Sequence, residues 1–294
     1  MPLLPEATYC SDSVSHMKHD IWTGLVFRKR TDNRHEVVDL TTMTPEEYAP
    51  IEHKKQEKHS VLVHDIRGNE FEYTIEKNGF QYVRDEVPEL RDCSDDDEIK
   101  KILIPRTEEL VRKVTGATKT LTFANRIRCF STDENKMAAS QAPARSVHSD
   151  LSIVGAWHLL ESVITDPAEL ATLKKGRVLV INVWRPLKKI RKDPLAVCDW
   201  SSVDLKNDWI TTRMIFPHGW NELGHLSHGD QQRWHYLSGQ TPEEPLIFKQ
   251  FDSAETGNGG MTVPHTAFED METVECEPRL SIEIKMFAFI PDSA

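Results

Sequence analysis

The chain has 294 residues, of which 38% are hydrophobic and 28% charged, with a net charge of −11 and a pI of about 5.6. That length supports one large core without staples, and the acidic balance disfavours binding nucleic acid or an acidic membrane face by charge. No run approaches the roughly 20 apolar residues of a membrane helix, Met1-Pro2-Leu3-Leu4-Pro5-Glu6 carries no basic leader pattern, and Cys10, Cys93, Cys129, Cys198 and Cys276 are scattered without a Cys-x-x-Cys pair, which reads as reduced thiols of a cytoplasmic protein.

With no repeat, low-complexity stretch or Gly/Ser linker, the chain reads as an N-terminal extension, residues 1–60, packed on a single domain, residues 61–294. Within the extension, Thr44-Pro45-Glu46-Glu47 predicts a short helix, with Thr44 as cap, proline in the first turn and Glu47 closing a capping box. Residues 61–67 and 70–75 alternate as two strands of a hairpin turning at Gly68-Asn69. Ser94 followed by Asp95, Asp96, Asp97 and Glu98 starts a helix; Pro105 interrupts it, and the stretch 107–114 resumes it up to a C-terminal cap at Gly116.

From there the texture is β, with strands predicted over 120–130, 177–184, 209–216, 233–237, 245–251 and 281–290, and one helix over 166–175 with Gly176 behind it. His218, His225, His228 and His235 match no standard ligand spacing and read as exposed histidines of a mobile loop. Lys188-Lys189-Ile190-Arg191-Lys192 reads as an exposed basic turn. Many short strands behind a few leading helices predict a mainly β fold with flanking helices around a double-stranded β-helix core, the jelly roll of cupin-like proteins.

The chemistry concentrates in Val147-His148-Ser149-Asp150. Residues two apart on a strand share a face, so the His148 imidazole and the Asp150 carboxylate converge, and one remote histidine, His265, completes a facial triad. Two histidines and one carboxylate suit Fe(II) and leave positions open for a cosubstrate and O2. Fourteen residues after His265 comes Arg279, with Ser281 two further on, a fork and a hydroxyl suited to the far carboxylate of 2-oxoglutarate. Arg126, Arg128, Trp184, Arg185, Tyr236 and Lys249 are candidates for substrate contact, while Trp234 is an aromatic of the same β half. An iron oxidase that uses the triad without 2-oxoglutarate, with Arg279 on a substrate carboxylate, and a non-catalytic jelly-roll binding protein are the rival readings.

Beyond these residues, the chain resembles fungal and bacterial hydroxylase/desaturase proteins of the AsaB type, which include gibberellin desaturase and proteins of cephamycin methoxylation. The resemblance lies in Val147-His148-Ser149-Asp150, Asn182-Val183-Trp184-Arg185-Pro186-Leu187, Asp193-Pro194-Leu195-Ala196-Val197-Cys198-Asp199, Arg233-Trp234, Phe248-Lys249-Gln250-Phe251-Asp252-Ser253, Pro264-His265-Thr266-Ala267-Phe268 and Arg279-Leu280-Ser281-Ile282-Glu283-Ile284. It implies an Fe(II) and 2-oxoglutarate dependent oxygenase with His148, Asp150 and His265 as iron ligands and Arg279 as the cosubstrate clamp. It also implies a small secondary-metabolite intermediate as substrate, to be hydroxylated, desaturated or oxidatively cyclised, with no nucleic-acid or membrane partner. Leu151, Ser201, His235 and Leu237 depart from the family pattern, while all the metal positions are kept.

Overall fold

A sheet with one apolar face needs a surface to cover it, and in this protein two sheets cover each other. The computed structural model describes residues 19–90, 93, 95–129, 144–258 and 262–292. In chain order the elements are β1 (Ile21–Arg28), β2 (His35–Asp39), α1 (Pro45–Lys54), β3 (Gln56–Asp65), β4 (Phe80–Tyr82), α2 (Asp96–Thr115), β5 (Lys119–Cys129), β6 (His148–Ser149) and α3 (Ile153–Val163). There follow α4 (Pro167–Leu173), β7 (Arg177–Pro186), β8 (Leu195–Cys198), α5 (Leu205–Asp208), β9 (Trp209–Phe216), β10 (Gly219–Leu226), β11 (Trp234–Tyr236), β12 (Leu246–Asp252), β13 (His265–Ala267) and β14 (Leu280–Ile290). One sheet has nine strands in the order β1-β3-β11-β8-β13-β6-β10-β9-β2, the other five in the order β4-β12-β7-β14-β5. This is the jelly-roll core expected from the sequence.

The five-stranded sheet sorts its side chains by the two-residue period of a strand. Leu179, Ile181 and Val183 of β7 and Ile282, Ile284 and Met286 of β14 face outward onto Ile99, Leu103, Leu110 and Val111 of α2. The alternate positions Val178, Val180, Phe287 and Phe289 face inward and pack with Ala156 and Leu160 of α3. That buried stripe explains why Pro105 lies inside α2 and does not end it. The missing hydrogen bond and ring clash cost ~3 kcal/mol, whereas each buried large aliphatic contributes ~1.5–3 kcal/mol. The helix is capped by Asp95, whose carboxylate accepts from the amides of Asp97 and Glu98, and ends at Gly116 in the left-handed conformation, φ 74. Ser94 lies outside the described residues.

Four other expectations are corrected. Residues 21–60 are part of the core: β1 and β2 form the two ends of the nine-stranded sheet, and the boundary at residue 60 falls inside β3. No hairpin forms over 61–75, because both edges of β3 are taken, by β1 antiparallel and β11 parallel, and the chain after Asp65 makes a single 3-10 turn at Glu70–Glu72. The histidine segment is only partly loop: His218 is exposed in the turn between β9 and β10 and His228 lies in the irregular stretch after β10, but His225 of β10 and His235 of β11 are buried in strands. Cys93 and Cys198 are free thiols as expected, but Cys276 is disulfide-bonded, and Cys10 lies outside the described residues. Helices α1, with its capping box, and α4 stand where the sequence places them, and α3 is new. No helix among the described residues is long and apolar enough to cross a membrane.

Helix α3 is fixed to β10 by Ser152, whose amide donates to the Glu222 carbonyl at 2.8 Å and whose hydroxyl donates to the Glu222 carboxylate at 2.6 Å. Gly155 sits so close that a Cβ there would collide with the Glu222 carbonyl oxygen. Gly155→Ala should therefore destabilise the protein by ~1–3 kcal/mol through overpacking, read as a lower urea midpoint; an unchanged midpoint would mean that α3 can move away at no cost. His235 supplies a second test. Burial pushes it down to about 4, with Asp199 partly opposing, and neither ring nitrogen has a hydrogen-bond partner among the described residues. Its unfolded value is about 6.5, so the folded state resists the proton and stability falls as pH drops from 6.5 towards 4. Between those limits His235→Phe should lose stability less steeply than the native protein, by up to about 1.4 kcal/mol per pH unit.

Candidate metal centre

The shortest strands carry the site. β6 is two residues long, and His148 in it pairs in register with His265 of β13 on one side and with His225 of β10 on the other. Residues directly opposite in antiparallel strands share a face, so the His148 and His265 rings meet with centroids 4.4 Å apart. Asp150 follows the end of β6, and its Oδ2 lies 3.9 Å from His265 Nε2. His148, Asp150 and His265 each offer a ligand atom within 4.8 Å of the others, the one such group among the described residues.

The surroundings set the protonation each ligand needs. His148 Nδ1 lies 2.8 Å from the Ser146 carbonyl and His265 Nδ1 lies 3.2 Å from the Val263 carbonyl. A carbonyl only accepts, so each Nδ1 carries the proton and each Nε2 lone pair is left for a metal. Burial and the neighbouring His148 push His265 down to about 3, against the opposing pull of Asp150. For Asp150 burial acts to raise the pKa, but Lys285 and then His265 and His148 outweigh it and hold the carboxyl well below the usual carboxylate range. Lys285 Nζ bonds Asp150 Oδ1 at 2.6 Å, and Asn182 Nδ2 donates to Asp150 Oδ2 at 2.5 Å and to Glu283 at 3.1 Å. Gln250 Oε1 accepts from the Asp150 amide at 2.7 Å and from the Ser149 hydroxyl at 2.9 Å.

Two cavities flank the triad. His148 and His265 face a narrow one of about 20 Å3 that also meets Arg128, Trp184, Arg279 and Glu283. Asp150 faces a broad one of about 720 Å3, bounded by β5, α3, β9, β10 and the inner face of β14. In the narrow cavity the Arg279 guanidinium lies over Trp184 at 5.3 Å, and its Nη1 donates to the Asp193 carbonyl at 2.6 Å. Burial lowers Arg279 to about 10, which leaves it charged at neutral pH. Arg279 Nε and Ser281 Oγ are buried without a hydrogen-bond partner among the described residues. Such orphaned donors cost ~1–3 kcal/mol each, which a bound carboxylate would recover. Two imidazoles whose Nδ1 is engaged by a carbonyl, an ionised carboxylate and orphaned donors beside them fit a divalent iron with a chelating keto acid.

Of the residues expected to touch substrate, Arg126 and Arg128 line the broad cavity and Trp184 the narrow one. Arg185, Tyr236 and Lys249 reach neither. Arg185 follows Trp184 by one, so the strand turns it to the opposite face, where it binds the Asp85 carboxylate and the carbonyls of Asp85 and Pro242. Tyr236 packs in the nine-stranded sheet and donates to the His19 carbonyl at 2.9 Å. Lys249 is fully buried on Asp252 at 2.7 Å and Glu76 at 3.3 Å. Sequence reasoning missed Lys285, Asn182, Glu283 and Gln250. A signal existed for two of them: Arg279, Ser281, Glu283 and Lys285 are polar at every second position of an otherwise apolar strand.

Comparison with known proteins agrees with this geometry. The family model described as "Oxidoreductase/YMDC permease-like domain" matches residues 25–289. The hydroxylase/desaturase CTB9 of Cercospora beticola is 32% identical over 260 residues, covering 81% of this chain and 79% of that protein. The alpha-ketoglutarate-dependent dioxygenase phiK of a fungal species is 28% identical over 234 residues, covering 77% and 82%. Among solved structures, the iron and alpha-ketoglutarate-dependent endoperoxidase NvfI superposes with a TM-score of 0.76 over 92% of this chain and 98% of its own, at 23% identity, which establishes a shared fold. The chain belongs to the family of hydroxylase/desaturase oxidoreductases that includes alpha-ketoglutarate-dependent dioxygenases.

Proposed function

We propose that the protein is an Fe(II) and 2-oxoglutarate dependent dioxygenase in which His148, Asp150 and His265 hold iron and Arg279 with Ser281 holds the far carboxylate of the cosubstrate. It acts on a small secondary-metabolite intermediate, which it hydroxylates, desaturates or oxidatively cyclises, in the cytoplasm and without a nucleic-acid partner. The observation that carries this reading is the convergence of three ligand atoms within 4.8 Å beside a charged arginine with an orphaned Nε. When bound, Fe(II) with 2-oxoglutarate and O2 supplies the oxidising power to remove hydrogen from a substrate, leaving succinate and carbon dioxide.

The chain's own residues do the rest. The Ser146 and Val263 carbonyls fix the two imidazoles, and Lys285 and Asn182 hold Asp150 ionised and oriented. Inward apolar side chains such as Val180 and Phe287 pack the inner face of the five-stranded sheet beside the site. The space beside Arg279, about 20 Å3, is that of roughly one water. Cosubstrate binding therefore requires side chains there to move. This tight space also motivates the second reading, an oxidase that dispenses with 2-oxoglutarate, and stoichiometric succinate formation separates the two.

Anaerobic apoprotein given Fe(II) and 2-oxoglutarate should develop the visible metal-to-ligand charge-transfer band of a chelated keto acid, and His148→Ala should not. A band of equal strength in the variant would contradict the ligand assignment. By the same absorbance, Arg279→Ala should weaken 2-oxoglutarate binding by about tenfold or more while leaving iron affinity nearly unchanged; equal loss of both would make the arginine structural. Lys285→Met should lower the stability of the apoprotein by ~1–3 kcal/mol, since two carboxylates lose a partly buried cation. Because a bound divalent metal would itself compensate Asp150, the loss should shrink on loading with Mn(II), read by melting temperature with and without metal; equal losses would place the metal elsewhere.

A further inference from the structure

The broad cavity holds an imbalance of charge that the metal centre does not use. Its two acids already have partners: Asp150 is held by Lys285 and Asn182, and Glu283 by Lys285 at 3.4 Å and Asn182 at 3.1 Å. Arg126 lines the same cavity from β5, and it has no ion pair or hydrogen bond among the described residues. Arg128 lies two residues along the same strand face and lines the broad cavity as well. At that spacing their Cα atoms are roughly 6–7 Å apart, so Arg126, an exposed residue, stands on the cavity wall with a second cation beside it. In a protein of net charge −11 this is a local reversal of sign.

Much of the rest of the wall is apolar, with Asn125, Ser162, His218 and Asn221 as polar residues among it. Phe123, Leu159, Val180 and Leu223 supply aliphatic and aromatic surface. Trp220 is clamped, with His158 stacked on one ring at 3.7 Å between centroids and the Arg213 guanidinium 4.1 Å from its ring. The indole is therefore held as a rigid wall. A volume of about 720 Å3 suits a molecule of drug-like size.

We infer that the substrate of this site is an apolar, ring-sized skeleton bearing a carboxylate, and that Arg126 is the residue that binds the carboxylate. A guanidinium matches a planar carboxylate through two parallel hydrogen bonds. A phosphate, with its higher charge, would call for more uncommitted cations than Arg126 supplies. The inference rests on the oxygenase reading for what is done to the molecule, and on the cavity alone for what is bound. Since 2-oxoglutarate is itself a dicarboxylate, the test must keep the two anion sites apart. Arg126 lines only the broad cavity and Arg279 only the narrow one.

The probe is pyrenebutyrate, an apolar ring system with one carboxylate, paired with its methyl ester, each titrated by fluorescence anisotropy into anaerobic protein loaded with Fe(II) and 2-oxoglutarate. The native protein should bind the acid about tenfold or more tightly than the ester. Arg126→Gln should lose that preference while keeping the native affinity for 2-oxoglutarate, Arg126→Lys should keep much of the preference, and Arg279→Gln should do the reverse of Arg126→Gln. Equal affinity for acid and ester, a preference that survives in Arg126→Gln, binding of neither probe, or loss of 2-oxoglutarate in Arg126→Gln would each overturn the inference. The same titration on apoprotein separates the two proposals: a missing charge-transfer band beside an intact acid preference would sink the oxygenase reading and leave the anion site standing.

Discussion

The ion pair between Asp150 and Lys285 is the interaction on which the site depends. Burying a carboxylate and an ammonium costs several kcal/mol for each ion, and their attraction repays that only when the remaining hydrogen bonds are made. Here they are made: Asn182 donates to the second carboxylate oxygen, Glu283 takes a share of Lys285, and Gln250 holds the backbone amide of Asp150. A pair of well-packed aliphatics would stabilise the fold as well or better. What the polar cluster supplies is an ionised carboxylate, fixed in direction, 3.9 Å from the Nε2 of His265 in the seam where two imidazoles present their lone pairs.

That cluster also ties the two sheets together. His148 and His265 belong to the nine-stranded sheet, while Asn182, Gln250 and Lys285 come from β7, β12 and β14 of the five-stranded one. The site is therefore complete only where the sheets face each other, and ligands more than a hundred residues apart in sequence meet there. The row Arg279, Ser281, Glu283 and Lys285 along β14 runs past the triad from the narrow cavity to the broad one. Arg128 and Glu283 line both cavities, so they form the partition between the space assigned to cosubstrate and the space assigned to substrate.

How much of this was legible in the sequence depended on length and period. His148 and Asp150 could be read because two residues of strand suffice to put them on one side, and Arg279 with Ser281 because the same period continues into β14. The long strands β5, β7, β9, β12 and β14 announced themselves by β-rich composition. The two- to four-residue strands β6, β8 and β13 are too short to show any period, although they carry or flank the ligands. Asn182 was hidden because it is one polar residue in the apolar run 178–184, and for Lys285 the alternation marks the face but only the facing sheet says which partner it meets. Arg185 shows the opposite error. Its neighbour Trp184 lines a cavity, and adjacent strand residues point to opposite faces of a sheet, a constraint that was available from the sequence. Pro105 and the 61–75 hairpin were misread because local rules were overruled by a buried helical stripe and by a strand whose two edges were already occupied.

The central claim is that one divalent metal sits among His148, Asp150 and His265 with a keto acid reaching from it to Arg279. Anomalous scattering from a crystal of the protein loaded with Mn(II) and 2-oxoglutarate under anaerobic conditions tests it directly. The account predicts a single strong peak within bonding distance of His148 Nε2, His265 Nε2 and an Asp150 carboxylate oxygen, with the far carboxylate of the keto acid on Arg279. A peak away from these three atoms, or a keto acid held by Arg126 in the broad cavity, would contradict it.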